Sequence, residues 1–191
     1  MKLLITEPTI EPVSLFQARD HLRLEDGEQD ELVVRCVKAA RQHVERRTGR
    51  SLVRQQWRQY FDFFPPTMFL EPSPVKEVER IQYVDTDGAT QTLATSVYEF
   101  DEARQIIRLA YEQTWPSSRP HPNSVWADLW CGYYSTGDSP IRPLDNLPED
   151  LTSAILLVTG ELFENREQSV IGLTVTASRT FEMLIQPHRV L

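Results

Sequence analysis

Six arginines crowd one short part of the sequence, and their guanidinium groups could bind phosphate or carboxylate. They are Arg41, Arg46, Arg47, Arg50, Arg54 and Arg58. One interpretation is contact with an acidic partner or with single-stranded nucleic acid, whose bases would stack on interleaved aromatic residues. The other is structural, because basic residues favour the last turn of a helix and the polar face of an edge strand. Trp57 and Phe61 alternate with Arg54 and Arg58, so in a strand they face the opposite way, into packing. This alternation favours the structural interpretation.

No other set of residues has the spacing of an active site or a metal centre. The sequence contains no phosphate-binding glycine loop, dinucleotide fingerprint, zinc-binding helix motif or serine-nucleophile motif. The four histidines, His21, His43, His121 and His188, share no metal-ligand spacing. His43 falls at the edge of an apolar helix face, where packing is expected. We therefore predict a protein that is not an enzyme and needs no cofactor or metal.

Composition and charge limit the functional classes further. The chain has 191 residues, of which 40% are hydrophobic and 25% charged, as in ordinary globular domains. Its formal net charge of −8 argues against broad non-specific DNA affinity, which requires basic residues to displace counterions from phosphates. It does not argue against a protein that lies near DNA without gripping it.

The cysteines and the N-terminus predict a reducing compartment. Cys36 and Cys131 lie in different elements and are predicted to be buried thiols, because disulfide frameworks belong to small secreted chains. The first apolar run ends at Glu7 and Pro8, and is too short and too acidic for a signal peptide. No segment approaches the roughly 18 apolar residues of a membrane span. We predict that the protein is made in a reducing cytoplasm.

Several stretches have the apolar spacing of amphipathic helices. The first begins at Ser14 with a capping-box pattern, and a long second helix is predicted from about Glu28 to Thr48. Gly49 is well placed to end that helix in a left-handed conformation. A third helix is predicted over 147–165, and a short last helix from about Ala177 to Gln186.

The middle of the chain has the alternation of β-strands. Residues 53–63 alternate apolar and polar side chains, and two hairpins are predicted to follow. The first turns at Asp87-Gly88, a favoured hairpin sequence, and the second turns at 101–104. A last strand is predicted within 124–134.

These elements predict an α+β fold that is mainly α. We expect a helical bundle of about four helices, with a small antiparallel β region inserted between the second and third long helices. Within this single domain, residues 1–49 form the N-terminal part of the bundle. Residues 50–135 form the β insertion, and 136–191 form the C-terminal part of the bundle and a tail.

The third predicted helix has more apolar surface than one buried stripe requires. Leu156 and Phe163 lie well off its main stripe, and Leu157 stands among acidic residues. A second apolar face of this kind indicates packing against a neighbouring element or subunit.

The order of short motifs resembles the tailed-bacteriophage head–tail connector (adaptor) protein family. The opening "PVSLFQARDHLRLEDGEQDELVVRCVKAARQHVERRTGRSL" and the following "QQW" are similar to that family's P-[VL]-[ST]-L-x-x-A-[KR]-x-H-L-R, A-A-x-x-x-V-E and T-G-R-x-L-x-x-Q-x-W series. Further similar stretches are "FPPTMFLEPSPVKEVERIQYVDTDGATQTL", "CGYY", "LPEDLTSAILLVTGELFENRE" and "LIQPHRV". The resemblance covers nearly the whole chain. It departs at Tyr134, where the family usually has glycine, and at "VIGLTVTASRT", which is longer than expected.

The resemblance implies a structural virion protein at the head–tail interface, assembled in the host cytoplasm. Such proteins form a homo-oligomeric ring, usually of twelve subunits, that links the portal protein to a stopper or tail-completion protein. Genomic DNA passes through the lumen without sequence-specific binding, and no membrane is involved. The alternative is a DNA-packaging accessory protein that contacts DNA through the Arg41–Arg58 cluster.

Two sets of site residues follow from the resemblance and the apolar pattern together. The subunit-interface candidates are Arg46, Arg50, Arg54, Leu156, Leu157 and Phe163. The portal-binding candidates are Gln186, Pro187, His188, Arg189, Val190 and Leu191, because the family uses its C-terminal segment in this way.

Overall fold

The structure is a computed structural model that describes residues 1–25, 27, 29–134, 144, 146–165 and 179–190. Within these ranges the chain forms four α-helices: α1 (Leu15–Leu22), α2 (Asp30–Thr48), α3 (Glu149–Glu164) and α4 (Arg179–Ile185). It also forms eight strands: β1 (Lys2–Thr6), β2 (Gln55–Phe61), β3 (Thr67–Phe69), β4 (Val75–Val84), β5 (Thr90–Thr92), β6 (Tyr98–Asp101), β7 (Ile106–Leu109) and β8 (Val125–Cys131).

The strands form two antiparallel sheets. The larger has five strands in the order β1-β2-β8-β4-β5, and the smaller has three in the order β3-β7-β6. In the larger sheet β2 lies between β1 and β8, with Trp57 opposite Leu4 on one side and Leu129 on the other. The strand that precedes all the helices is therefore joined to the strand that follows α2.

The prediction of a mainly helical bundle is wrong. Four helices are present in the described residues, but α1 and α4 are short and eight strands accompany them. β1 was missed because its apolar run does not alternate, and because its hydrogen-bonding partner β2 lies far along the sequence. The helical and sheet parts of the fold are comparable in extent.

Local sequence signals determine where the helices begin and end. Ser14 and Gln17 form the predicted capping box at the start of α1. Gly49 ends α2 in the left-handed conformation, with φ of 71°, and its amide donates to the Glu45 carbonyl. α2 begins at Asp30, whereas residue 28, the predicted start, lies outside the described residues.

The two predicted hairpins are confirmed by the strand pairing. β4 pairs with β5 across the Asp87-Gly88 turn, and β6 pairs with β7 across residues 102–105. In the first turn the Asp85 carboxylate accepts hydrogen bonds from the amides of Asp87 and Ala89. This side-chain cap shapes the loop between the two strands.

Two apolar cores divide the molecule. The first lies among the four helices and includes Leu52 and Val53 from the connection between α2 and β2. The second lies between the two sheets and is centred on residues such as Met68, Ile81 and Leu129. The connection after α2 is thus packed into the helical core before the chain enters the sheet.

None of the helices in the described part of the chain combines the length and the apolar character that crossing a membrane requires.

Candidate interaction surfaces

The arginine cluster lies where α2 ends and β2 begins. The Thr48 hydroxyl donates to the Val44 carbonyl at 2.8 Å, and Gly49 then reverses the chain. The change from helical to strand spacing predicted for this stretch is confirmed by the start of β2 at Gln55. The partners of each arginine decide how much positive charge this junction presents to another molecule.

Arg41 is a buried structural residue. Its side chain is 3% exposed and forms ion pairs with Glu11 at 2.7 Å and with Glu45 at 2.6 Å. Burial disfavours its charge, but Glu45 and Glu11 together hold the pKa of Arg41 above its ordinary value. The cluster's first member is therefore unavailable to a partner.

Glu45 connects the same ion pair to the chain that follows α2. Its carboxylate accepts hydrogen bonds from the Leu52 amide at 2.9 Å and the Gln55 side chain at 2.8 Å. Burial raises the pKa of Glu45, and Arg41 with these two donors offsets only part of that effect. The Glu45 carboxylate thus connects α2 to the segment that follows it and to the first residue of β2.

Arg58 is paired across the sheet. Its guanidinium contacts both carboxylate oxygens of Asp128, at 2.7 and 2.9 Å, and Arg80 reaches the same carboxylate at 2.8 Å. Hydrogen bonding to Asp128 raises the pKa of Arg58. Burial opposes the ionised form of Asp128, which is 1% exposed, but the two arginines outweigh burial and leave the pKa of Asp128 below its usual value.

Asp128 is a structural residue that the sequence interpretation missed. A signal was available, because Asp128 is the one charged residue in the apolar strand sequence VWADLWC. A charge in such a strand requires a partner of opposite sign. The sequence does not say which of the chain's basic residues supplies it.

Arg54 and Arg50 are also engaged within the chain. The Arg54 guanidinium lies over the Trp130 ring, 3.6 Å from its centroid, in a cation–π contact. The Arg50 side chain donates to the His188 carbonyl and lies 3.4 Å from the Ser73 hydroxyl. Both are partly buried candidates for the subunit interface, and that role stays a prediction.

Arg46 differs from its neighbours. Arg47 pairs with Glu182, whereas the exposed Arg46 has no hydrogen bond or ion pair within the described part of the chain. With most of the cluster matched by acids, carbonyls or rings, little positive charge is left for phosphate. The prediction that this cluster binds DNA stays untested, and the pairing weakens its basis.

The apolar residues of α3 have different environments. Phe163 is 7% exposed and belongs to the chain's own helical core, and Leu156 packs against that core. Leu157 is 36% exposed and Leu162 is 39% exposed. Of the three predicted interface residues on α3, Leu157 therefore offers the most surface to a neighbour.

The C-terminal segment is folded against its own chain as far as Val190. The Val190 amide donates to the Thr48 carbonyl at 2.9 Å, and Arg189 pairs with Glu182. His188 lies 3.3 Å from Asp150, and Gln186 and Pro187 form an exposed turn. Leu191 lies outside the described residues. A portal protein that binds this segment, as predicted, must contact it in place or displace it.

The thiols and histidines do not converge on a reactive site in the part of the chain that is described. Cys36 and Cys131 are buried thiols that are not joined by a disulfide, and burial raises the pKa of the Cys131 thiol. His43 packs on the Phe181 ring with 5.5 Å between ring centroids. No group of three or more metal-ligating side chains is positioned to hold an ion among these residues.

The fold is similar to that of chains in several solved particle structures. One belongs to the neck of an empty GTA particle computed with C6 symmetry (TM-score 0.76, 22% identity, 100% of this chain and 96% of that chain). Another belongs to the virion of a native gene transfer agent (GTA) particle (0.75, 21%, 100% and 96%), and a third to the neck of a native GTA particle computed with C12 symmetry (0.74, 22%, 100% and 96%). No protein-family model and no curated protein matches the sequence. At this identity the likeness establishes the fold over the whole chain.

Proposed function

We propose that this chain is a structural component of the neck of a phage or phage-like particle, acting as a head–tail connector (adaptor). The supporting observation is the fold shared along the whole chain with proteins of GTA necks, at TM-scores of 0.76 and 0.74. Local similarity of a common motif would not extend over 100% of the chain. The proposed role is mechanical linkage, without a chemical reaction.

The proposed assembly is a ring, usually of twelve subunits, under the portal. It joins the portal protein to the stopper or tail-completion protein in the virion, after assembly in the host cytoplasm. The C6 and C12 symmetries of the neck structures are compatible with such a ring. The proposed subunit contacts are Arg46, Arg50, Arg54, Leu156 and Leu157, and the proposed portal contacts are residues 186–191. Phe163, predicted with them, is 7% exposed within the chain's own helical core and has little surface for a subunit contact.

The electrostatics of the chain suit a lumen through which DNA moves. The formal net charge is −8, and most arginines of the Arg41–Arg58 cluster have partners within the chain. The cluster would not hold the phosphate backbone tightly, because most of its guanidinium groups are already paired and cannot replace the backbone's counterions. DNA passage without specific binding is therefore part of the proposal.

The test is electron microscopy of particles made without this protein. We expect DNA-filled or leaking heads that lack tails, because the ring that joins the tail would be missing. Supplying the intact gene in trans should restore tailed particles, which controls for effects on neighbouring genes. Normally tailed particles in its absence would contradict the proposal. A monomer in dilute solution would not, because the proposal concerns the ring within the particle.

A further inference from the structure

A cleft of about 370 Å³ lies between α2 and the β1 side of the larger sheet. Leu4 and Trp57, which face each other across β1 and β2, line it together with Pro72, and Arg46 lines it from α2. The volume falls within the range of ligand-binding pockets, roughly 300–1,000 Å³. β1 is an outer strand, so its second edge has no partner strand in the described chain. Lys2 and Leu4 of β1 line the cleft, so the unpaired backbone groups of that outer strand lie close to it and are available to an extended segment.

The side chains that line the cleft are more basic than the chain as a whole. Four basic and two acidic side chains line it, although the chain as a whole has a formal net charge of −8. Among the basic residues, Arg41 pairs with Glu11 and Glu45, and Lys2 pairs with Glu71. Arg50 donates to the His188 carbonyl, so Arg46 is the one basic lining residue without a partner within the described residues. An unpaired guanidinium next to an apolar wall favours a carboxylate attached to an apolar segment.

Two buried polar atoms of the cleft walls also lack partners. The Ser51 hydroxyl and the Trp57 indole nitrogen are shielded from solvent, and neither has a hydrogen-bond partner among the described residues. Ser51 is 1% exposed. Buried polar groups in native proteins are normally paired, but both atoms are closed off from the cleft, so an occupant would reach them only after the side chains move. The choice of occupant therefore depends on Arg46 and on the apolar wall.

We propose that this cleft binds an extended acidic peptide segment of a protein partner. Arg46 holds a carboxylate of the segment, an apolar side chain rests on Trp57 and Pro72, and the segment runs beside the open edge of β1. The inference goes beyond the proposed neck function. It concerns binding by the isolated chain, in which no neighbouring subunit covers Arg46, so it can fail while the neck function stands, and the reverse is also true.

A peptide suits the cleft better than a phosphate or a nucleic acid. The walls include Leu4, Pro8 and Pro72, which give nothing to a compact, strongly hydrated anion. Glu7 and Glu45 also line the cleft and would repel a doubly charged group more than a single carboxylate. Trp57 is the one aromatic side chain among the described residues that line the cleft, so successive bases would find no row of stacking partners as in single-strand binders.

The experiment uses the full chain and a random peptide library displayed on phage, followed by synthetic capped versions of the selected peptides. We expect the selected sequences to be enriched in an acidic residue next to an aliphatic one. Arg46→Gln should weaken binding of the synthetic peptides about tenfold, because a charge-assisted hydrogen bond is lost. Arg35→Gln, the same change at an exposed position of α2 that does not line the cleft, should leave binding unchanged.

Nuclear magnetic resonance of the indole N–H groups gives a readout independent of affinity. The chain has four tryptophans, and Trp57→Phe identifies the Trp57 signal. Peptide addition should shift that signal and leave the Trp126 signal in place, since Trp126 does not line the cleft. Inorganic phosphate and a short DNA duplex are tested in the same way.

Any of three results would overturn the proposal. One is a selection without acidic enrichment, and another is peptide binding that Arg46→Gln does not weaken while thermal denaturation shows an intact fold. The third is a Trp57 shift produced by phosphate or DNA at lower concentration than by the peptides, which would assign the cleft to a phosphate group.

Discussion

At the scale of single residues, the charged side chains in and around the arginine cluster mostly form ion pairs within the chain. Asp128 binds two arginines from neighbouring strands, and Arg41 binds two glutamates from different parts of the chain. Pairs of this kind are costly to break, because the remaining buried charge loses its compensation. They explain why a basic cluster that resembles a phosphate site carries little free charge.

Asp128→Asn tests the central ion pair. We expect the free energy of unfolding to fall by about 1–3 kcal/mol, since an uncharged amide cannot replace the charged acceptor of Arg58 and Arg80. Urea denaturation at neutral pH measures the change. Asp87→Asn, at an exposed hairpin turn, is the matched control and should change stability by less than about 0.5 kcal/mol. Equal stabilities of the two variants would contradict the structural role of Asp128.

The same pair has a defined pH dependence. The pKa of Asp128 is lowered in the folded state, so its contribution is present above the unfolded value of about 3.9 and is lost as pH falls through the folded value. The wild-type chain should therefore lose more stability than Asp128→Asn on acidification below about pH 4. Parallel losses in both proteins would show that other groups control acid unfolding.

His43 should titrate below the ordinary histidine range. Burial, together with the positive charges of Arg46 and Arg47, lowers the pKa of His43, because each disfavours the protonated ring. On acidification His43 is protonated in the unfolded state at a higher pH than in the folded state. The free energy of unfolding therefore falls as pH decreases from about 6.5 toward the folded pKa. Nuclear magnetic resonance titration of the His43 ring, compared with the same ring in urea, measures both values. A folded pKa at or above the unfolded one would contradict the packing on Phe181.

At the scale of elements, two glycines of the junction adopt a positive φ, and one of them also permits a close backbone contact. Gly49 ends α2, and Gly132 follows β8 with φ of 123°, a conformation that side chains strongly disfavour. An added Cβ at Gly132 would lie 2.3 Å from the Val53 carbonyl oxygen. Close approach at Gly132 lets the end of the sheet meet the connection that is packed into the helical core.

Gly132→Ala should destabilise the protein by roughly 3 kcal/mol or more, because backbone strain and overlap with the Val53 backbone add together. Gly160→Ala is the matched control in α3, where the nearest atom to the new Cβ would be 3.6 Å away on the His21 ring. Alanine is the better helix former, so this variant should be unchanged or more stable by about 0.5–1 kcal/mol. Thermal denaturation of both variants measures the difference, and similar melting temperatures would contradict the close contact at Gly132.

At the scale of the whole molecule, two cores meet at the junction after α2. Leu52 and Val53 belong to the helical core, and side chains from β2 onward pack in the sheet core. Glu45 bonds to the connection and to Gln55 at the start of β2, which stabilises the passage between the cores. Surfaces left exposed outside both cores are the ones that a neighbouring subunit can bury.

Leu157→Glu tests the proposed subunit interface. Leu157 is already 36% exposed, so the isolated chain should keep its stability to within about 1 kcal/mol. Assembly should fail more often, because a charge would be buried between subunits. Thermal denaturation and counts of tailed particles by electron microscopy measure the two effects. Tyr111→Glu, at a residue that is 85% exposed and outside the predicted interface, is the control. Equal tail counts for the two variants would remove Leu157 from the interface.

The elements with short-range signals could be predicted from the sequence. The Ser14 capping box, the Gly49 helix end and the Asp87-Gly88 hairpin each depend on residues a few positions apart. Such signals act through local hydrogen bonds and permitted backbone angles, which do not require knowledge of the rest of the fold. The resemblance to connector proteins also rests on short motifs, taken in their order along the chain.

The balance between helix and sheet, and the fate of the arginines, depended on contacts between distant parts of the chain. β1 was missed because its partner β2 follows two helices, and because its three consecutive apolar residues, 3–5, do not alternate with polar ones. Arg58 and Asp128 are separated by 70 positions, and only the order of β2, β8 and β4 brings them together with Arg80. The sequence shows that a charged residue in an apolar strand needs a partner of opposite charge, but the tertiary structure determines which residue that partner is.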